Sequence, residues 1–191
     1  MSHLQNDITV LKLSSKVKLG PTVGTVCLPT QGSRATIGGH CWTSGWGRIN
    51  GQTNQAAYEL QQTSLPIVDQ NTCHQKNGYY VHENSMVCAG ASGSSACNGD
   101  SGGPLVCEEN GKWVLRGVTS WGTSKACPVT TYSVYARVGS YVDWVKGKMG
   151  GGNSGGGSSC ADLDTNCIHW TSECHLNHIK TYWCRKTCGD C

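Results

Sequence analysis

Short apolar runs broken by Gly, Asn and Ser dominate the first 149 residues. ITVLKL at 8–13 is apolar and β-branched and predicts a strand. HCWTSGWG at 40–47 alternates weakly and predicts another. YELQQTSLPIV at 58–68 predicts a long strand interrupted at Pro66. In PLVCEENGKWVLRGVTSWG, 104–122, two apolar runs flank Asn110-Gly111, the strongest short-range hairpin signal. VYARV at 134–138 adds a further strand. Asp69 predicts the cap of a short helix over 70–77. Ser140 with Asp143 resembles a capping box, after which Tyr141, Trp144, Val145 and Lys148 share one face of a terminal helix whose apolar part docks on the rest. The pattern is that of an all-β domain rich in loops.

The pattern stops at GGGNSGGGSS, 150–159, which has nothing to bury and reads as a linker. It leaves a first domain at 1–149 and a small module at 160–191. Composition sharpens this division. Thirteen cysteines favour a disulfide-bonded, secreted and extracellular protein. Seven precede the linker and six follow it, so the unpaired one belongs to the first part. The beginning, MSHLQNDITV, has no basic-then-apolar signal segment. A net charge of +3 with no basic run argues against nucleic acid as partner, and no apolar stretch is long enough for a membrane span.

The chemistry centres on CNGDSGGP, 97–104. Ser101 lies in a tight glycine-rich loop before a strand. Gly102 and Gly103 remove bulk and let a substrate backbone approach, and Gly99 permits a backbone conformation that a side chain resists. The N–H groups of Gly99 and Ser101 can then converge on a developing oxyanion.

With SGWG at 44–47, MVCAG at 86–90, VTSWG at 118–122 and NDITVLKL at 6–13, residues 6 to about 149 resemble the trypsin/chymotrypsin family of serine proteases. The resemblance implies the second antiparallel β-barrel of a chymotrypsin-like protease with a C-terminal helix. It makes Ser101 the nucleophile and Asp7 the buried aspartate that orients a histidine base. None of His3, His40, His74, His82, His169, His175 and His178 stands in the family's histidine motif. The expectation is therefore a truncated form, most of the first barrel missing, that lacks the catalytic histidine. Asp100 would pair with an activation amine that is also missing, which leaves a buried carboxylate orphaned. The family's disulfides would be Cys41–Cys107, Cys73–Cys88 and Cys97–Cys127, with Cys27 left over.

Ser95, six positions ahead of Ser101, would form the base of the specificity pocket. It carries no charge, so basic side chains are rejected. Gly122 keeps the entrance open, Ser133 narrows the inner end, and the Ser120-Trp121-Gly122 strand pairs with the substrate. Ser120 also reaches Asp7. This set implies cleavage after Leu, Met, Phe or Tyr.

The ending CRKTCGDC resembles the ShK-type toxin domain, which would pair Cys160–Cys191, Cys167–Cys184 and Cys174–Cys188 in a small disulfide-rich helical module. A zinc site of Cys184, Cys188 and Cys191 with His175 or His178 competes, but the spacing fits a disulfide module better. Lys180 is followed by Thr181 and is out of register with the lysine–aromatic pair of channel blockers. Channel block is therefore not expected, and the module's ligand is unassigned. The chain reads as part of an extracellular endopeptidase acting on proteins or peptides, with no cofactor and no metal. The competing reading is a non-catalytic secreted binding protein or toxin acting through the ShK-type module.

Overall fold

The computed structural model describes residues 4–78 and 80–149. The linker and the module at 160–191, with its three expected disulfides, lie outside them. Six antiparallel strands close into a barrel: β1 (His40–Gly45), β2 (Gln61–Val68), β3 (Met86–Gly90), β4 (Pro104–Glu109), β5 (Lys112–Trp121) and β6 (Tyr132–Arg137). Their order around the barrel is β1-β2-β3-β6-β5-β4. Two short helices, α1 (Gln70–Asn77) and α2 (Val142–Met149), follow β2 and β6.

The elements form for local reasons. In the β4–β5 hairpin, Asn110 and Gly111 have φ of 52° and 72°, the left-handed pair that suits the twist of a two-residue turn. Asp69 caps α1: its Oδ1 accepts the Thr72 N–H at 2.9 Å and its Oδ2 the Thr72 hydroxyl at 2.6 Å, and these bonds lower the carboxyl's pKa. At the other end of α1, the Asn77 amide imitates a strand. It donates to Tyr132 O at 2.7 Å and accepts from Tyr132 N at 3.1 Å, which holds the helix against the start of β6.

Inward residues of every strand meet in the barrel. Leu65, Leu105, Ala89 and Tyr135 are fully buried around the Cys41–Cys107 disulfide. A second cluster, Val81, Met86, Val134 and the Cys73–Cys88 disulfide, lies beneath α1. Burying a leucine such as Leu105 contributes roughly 2 kcal/mol. Gly117 is required by closeness, since a Cβ there would stand 2.7 Å from the Cβ of Tyr135.

Three sequence expectations change. Residues 8–13 form no strand, because among the described residues no neighbouring strand supplies a ladder; Leu11 and Leu13 are exposed. The expected strand over 58–68 begins at Gln61, and Pro66 does not interrupt it. The Ile67 N–H donates to Gly39 O, so the ring nitrogen of Pro66 faces away from β1, where β3 pairs only with Ile67 and Val68. The capping box is not made: the Ser140 hydroxyl donates to Asn84 O, and the Asp143 N–H donates to Gln31 Oε1 at 3.0 Å. The apolar part of the terminal helix's face does dock: Tyr141, just ahead of α2, is buried and Trp144 and Val145 are half-buried, with Val142 buried beside them and Lys148 exposed.

Candidate functional site

The site is assembled by loops at one end of the barrel. The turn from Cys97 to Gly103 carries Ser101, which is exposed. Its shape rests on two left-handed glycines, Gly99 at φ 100° and Gly102 at φ 81°. A Cβ on Gly102 would meet nothing within 4 Å, so backbone conformation alone requires glycine there. Gly103 is different. A Cβ would stand 2.8 Å from Asp100 O and 3.1 Å from Ser44 O, so that glycine makes room for the protein's own backbone and not for a substrate.

Asp100 is not orphaned. Its Oδ1 accepts the Gly47 N–H and its Oδ2 the Cys97 N–H, both at 2.8 Å. The side chain is only half-buried, so solvent and two backbone donors share its charge. The SGWG segment is the cradle. A Cβ on Gly45 would lie 2.1 Å from Asp100 Oδ1, and one on Gly47 2.5 Å from the same atom. The two glycine-rich motifs therefore interlock, and neither is a mere turn. Nothing in the residue types of 44–47 alone signals this role.

Beside Ser101 opens a cavity of about 240 Å³. The expected pocket residues Ser95, Ser120, Trp121, Gly122 and Ser133 all line it, together with Ser101. The Ser95 hydroxyl donates to Cys127 O at 3.1 Å, and Ser133 Oγ accepts the Ala96 N–H at 3.0 Å. Both serines thus brace the wall as well as lining it. The Cys97–Cys127 disulfide ties the two loops that form the cavity's sides. Asn98 was not singled out by sequence, yet its amide donates to Lys125 O at 3.0 Å across the mouth. Behind Ser133, the Tyr135 hydroxyl is buried with no hydrogen-bond partner among the described residues. Burial pushes its pKa up to about 12, with smaller lowering influences from Thr43 and Ser133.

Ser120 sits at a register shift between β5 and β6. Thr119 faces Tyr135 and Trp121 faces Val134, which leaves Ser120 as the extra residue. Such a bulge re-aims a side chain. Here the Ser120 hydroxyl donates to Asp7 Oδ2 at 2.7 Å. Asp7 is exposed, unlike the buried aspartate that the resemblance implies.

The three described histidines are engaged elsewhere. His40 pairs with Ser64 Oγ at 3.1 Å, His74 with Gln70 Nε2 at 3.0 Å, and His82 with Gln5. No group of three His, Cys, Asp or Glu side chains among the described residues is placed to hold a metal ion. No described helix is long and apolar enough to cross a membrane.

The family model described as Trypsin matches residues 1–145. The chain belongs to the trypsin family. Chymotrypsin-C of Bos taurus is 45% identical over 152 residues, which cover 76% of this chain and 56% of that relative. Chymotrypsin-C of Mus musculus is 42% identical over 153 residues, and that of Rattus norvegicus 42% over 151, with the same shares. The chain thus spans just over half the length of these curated relatives. The closed six-stranded barrel and the three disulfides Cys41–Cys107, Cys73–Cys88 and Cys97–Cys127 agree with the trypsin-family expectation, and Cys27 is exposed and unpaired among the described residues.

Proposed function

We propose that this chain carries the nucleophile and the substrate pocket of a secreted serine endopeptidase that cleaves after Leu, Met, Phe or Tyr. The observation that carries the reading is the convergence of Ser101, Ser95, Ser120 and Ser133 on one cavity that no carboxylate lines and whose one charged lining residue is the cation Lys125, with Asp7 bonded to Ser120 at its edge. In this reading Ser101 Oγ attacks the scissile carbonyl. A histidine from outside the described residues takes its proton, and Asp7 orients that histidine. The N–H groups of Gly99 and Ser101 receive the oxyanion. Neither donates to another group among the described residues, which leaves both available for that task.

The specificity reading rests on the same cavity. No carboxylate lines it, so a lysine or arginine side chain would lose its hydration without gaining a partner. Gly122 leaves open space at the mouth, and the buried Ser133 limits the depth. The portion of cattle chymotrypsin-C that this chain does not span, joined to this chain, provides the test. The hybrid should hydrolyse peptides with Leu or Tyr before the cut and spare those with Lys, and Ser101→Ala should abolish turnover. Hydrolysis that survives Ser101→Ala, or that prefers Lys, would sink the reading.

A further inference from the structure

Asp7 belongs to a segment without strand pairing, and its side chain is exposed. Such a carboxylate needs something to hold it. Three successive side chains are gripped from three separate parts of the barrel. Gln5 contacts His82 in the loop between α1 and β3. Asn6 Oδ1 accepts the hydroxyl of Tyr141, at the head of α2, at 2.8 Å. Asp7 accepts the hydroxyl of Ser120 at the end of β5.

The middle grip is the informative one. Asn6 has φ of 58°, the left-handed region, where asparagine is the side-chain-bearing residue most at ease. That conformation turns the chain sharply, and the Ile8 N–H closes onto Asn6 O at 2.8 Å. Its partner is rigid. Tyr141 is only 4% exposed and the adjoining Val142 is fully buried, so the hydroxyl is fixed by the core contacts of α2. The Tyr141 N–H donates to Val138 O and its carbonyl accepts from Val145 N–H, which locks its backbone too.

We propose that Asn6 and Tyr141 are positioning residues for Asp7: the seated terminal helix, through one hydroxyl, sets the turn that presents the Asp7 carboxylate to Ser120. The proposal deepens the protease reading and rests on the role given there to Asp7. It makes the docking of α2 a condition for an ordered orienting carboxylate beside Asn6, 135 positions before Tyr141.

The test uses the full chain labelled for NMR, with Asn6→Ala, Tyr141→Phe and Asn6→Asp. Tyr141→Phe keeps the buried ring, and Asn6→Asp keeps an acceptor for the hydroxyl. The first two should remove the cross-peak between the β-protons of Asp7 and Ser120 and speed Ile8 amide exchange roughly fivefold, the value of one net hydrogen bond. Asn6→Asp should restore both. A role in general stability alone would lower the melting temperature without moving that cross-peak. If cross-peak and exchange stay unchanged in Tyr141→Phe, the clamp is wrong, and the protease reading, judged by hydrolysis, stands independently.

Discussion

Ser120 Oγ donates a 2.7 Å hydrogen bond to Oδ2 of Asp7, joining residues 113 positions apart in sequence. The bulge at Ser120 makes the bond, because only the residue left out of the β5–β6 ladder is free to aim at Asp7. Ser120→Ala should leave the ladder intact and change stability by less than about 1 kcal/mol, since Asp7 is solvated. In a catalytically competent form it should lower kcat about tenfold, the loss of roughly 1.5 kcal/mol from one bond to a charged group. Paired denaturation curves and peptide hydrolysis check both halves.

The Asp100 cradle makes a sharper demand on sequence. Alanine at 45 or 47 would drive a methyl group into the carboxylate, with contacts of 2.1 and 2.5 Å before relaxation. Both Gly45→Ala and Gly47→Ala should expel Asp100 and unseat the loop bearing Ser101, costing about 2–4 kcal/mol in urea denaturation. Asp100→Asn should cost at least as much as losing one hydrogen bond, about 1–3 kcal/mol. Its amide must set two N–H donors against the backbone N–H of Gly47 or Cys97.

The parts legible in sequence were those with a local cause. Asn110-Gly111 announced its hairpin because that turn needs two positive φ values, and Asp69 announced α1 because the cap is made within three residues. The cavity set followed from motif register. The misread parts depend on partners distant in sequence. An apolar run such as 8–13 does not reveal whether a strand lies beside it. Two backbone N–H groups can satisfy Asp100, and backbone donors have no residue type to read. Ser140 and Asp143 have capping chemistry, yet Asn84 and Gln31 took their bonds. The Asn77–Tyr132 pairing and the Asn98–Lys125 bond are side-chain amides reaching backbone, invisible to any local pattern.

The three bridges differ in the loops they close, with separations of 66, 30 and 15 residues. Chain-entropy loss then ranks them: removing Cys41–Cys107 should cost about 4 kcal/mol and Cys73–Cys88 about 3 kcal/mol. Serine pairs at each bridge, compared by denaturation, test the order. Cys27 should alkylate in the non-reduced, denatured chain as its single reactive thiol, and peptide mapping should place the label there. A label mapping to any other cysteine would overturn the pairing.

The last prediction concerns alkaline pH. The Tyr135 phenol ionises ordinarily near pH 10, but burial pushes it up to about 12 in the folded chain. Below pH 10 both folded and unfolded states hold the proton, so the group makes no pH-dependent difference. Between about pH 10 and 12 the unfolded chain releases that proton while the folded chain keeps it. The unfolded state binds fewer protons there, so stability falls as pH rises and levels off above 12. The total loss is about 2–3 kcal/mol. Tyr135→Phe removes this slope. It also removes a hydroxyl buried without a partner, so at neutral pH it should be neutral or stabilising by up to about 1 kcal/mol, in contrast to a truncation such as Tyr135→Ala. Urea denaturation of wild type and Tyr135→Phe at pH 8, 10, 11 and 12 separates the two effects. Parallel curves across that range would show that Tyr135 is not shielded from solvent as the fold requires.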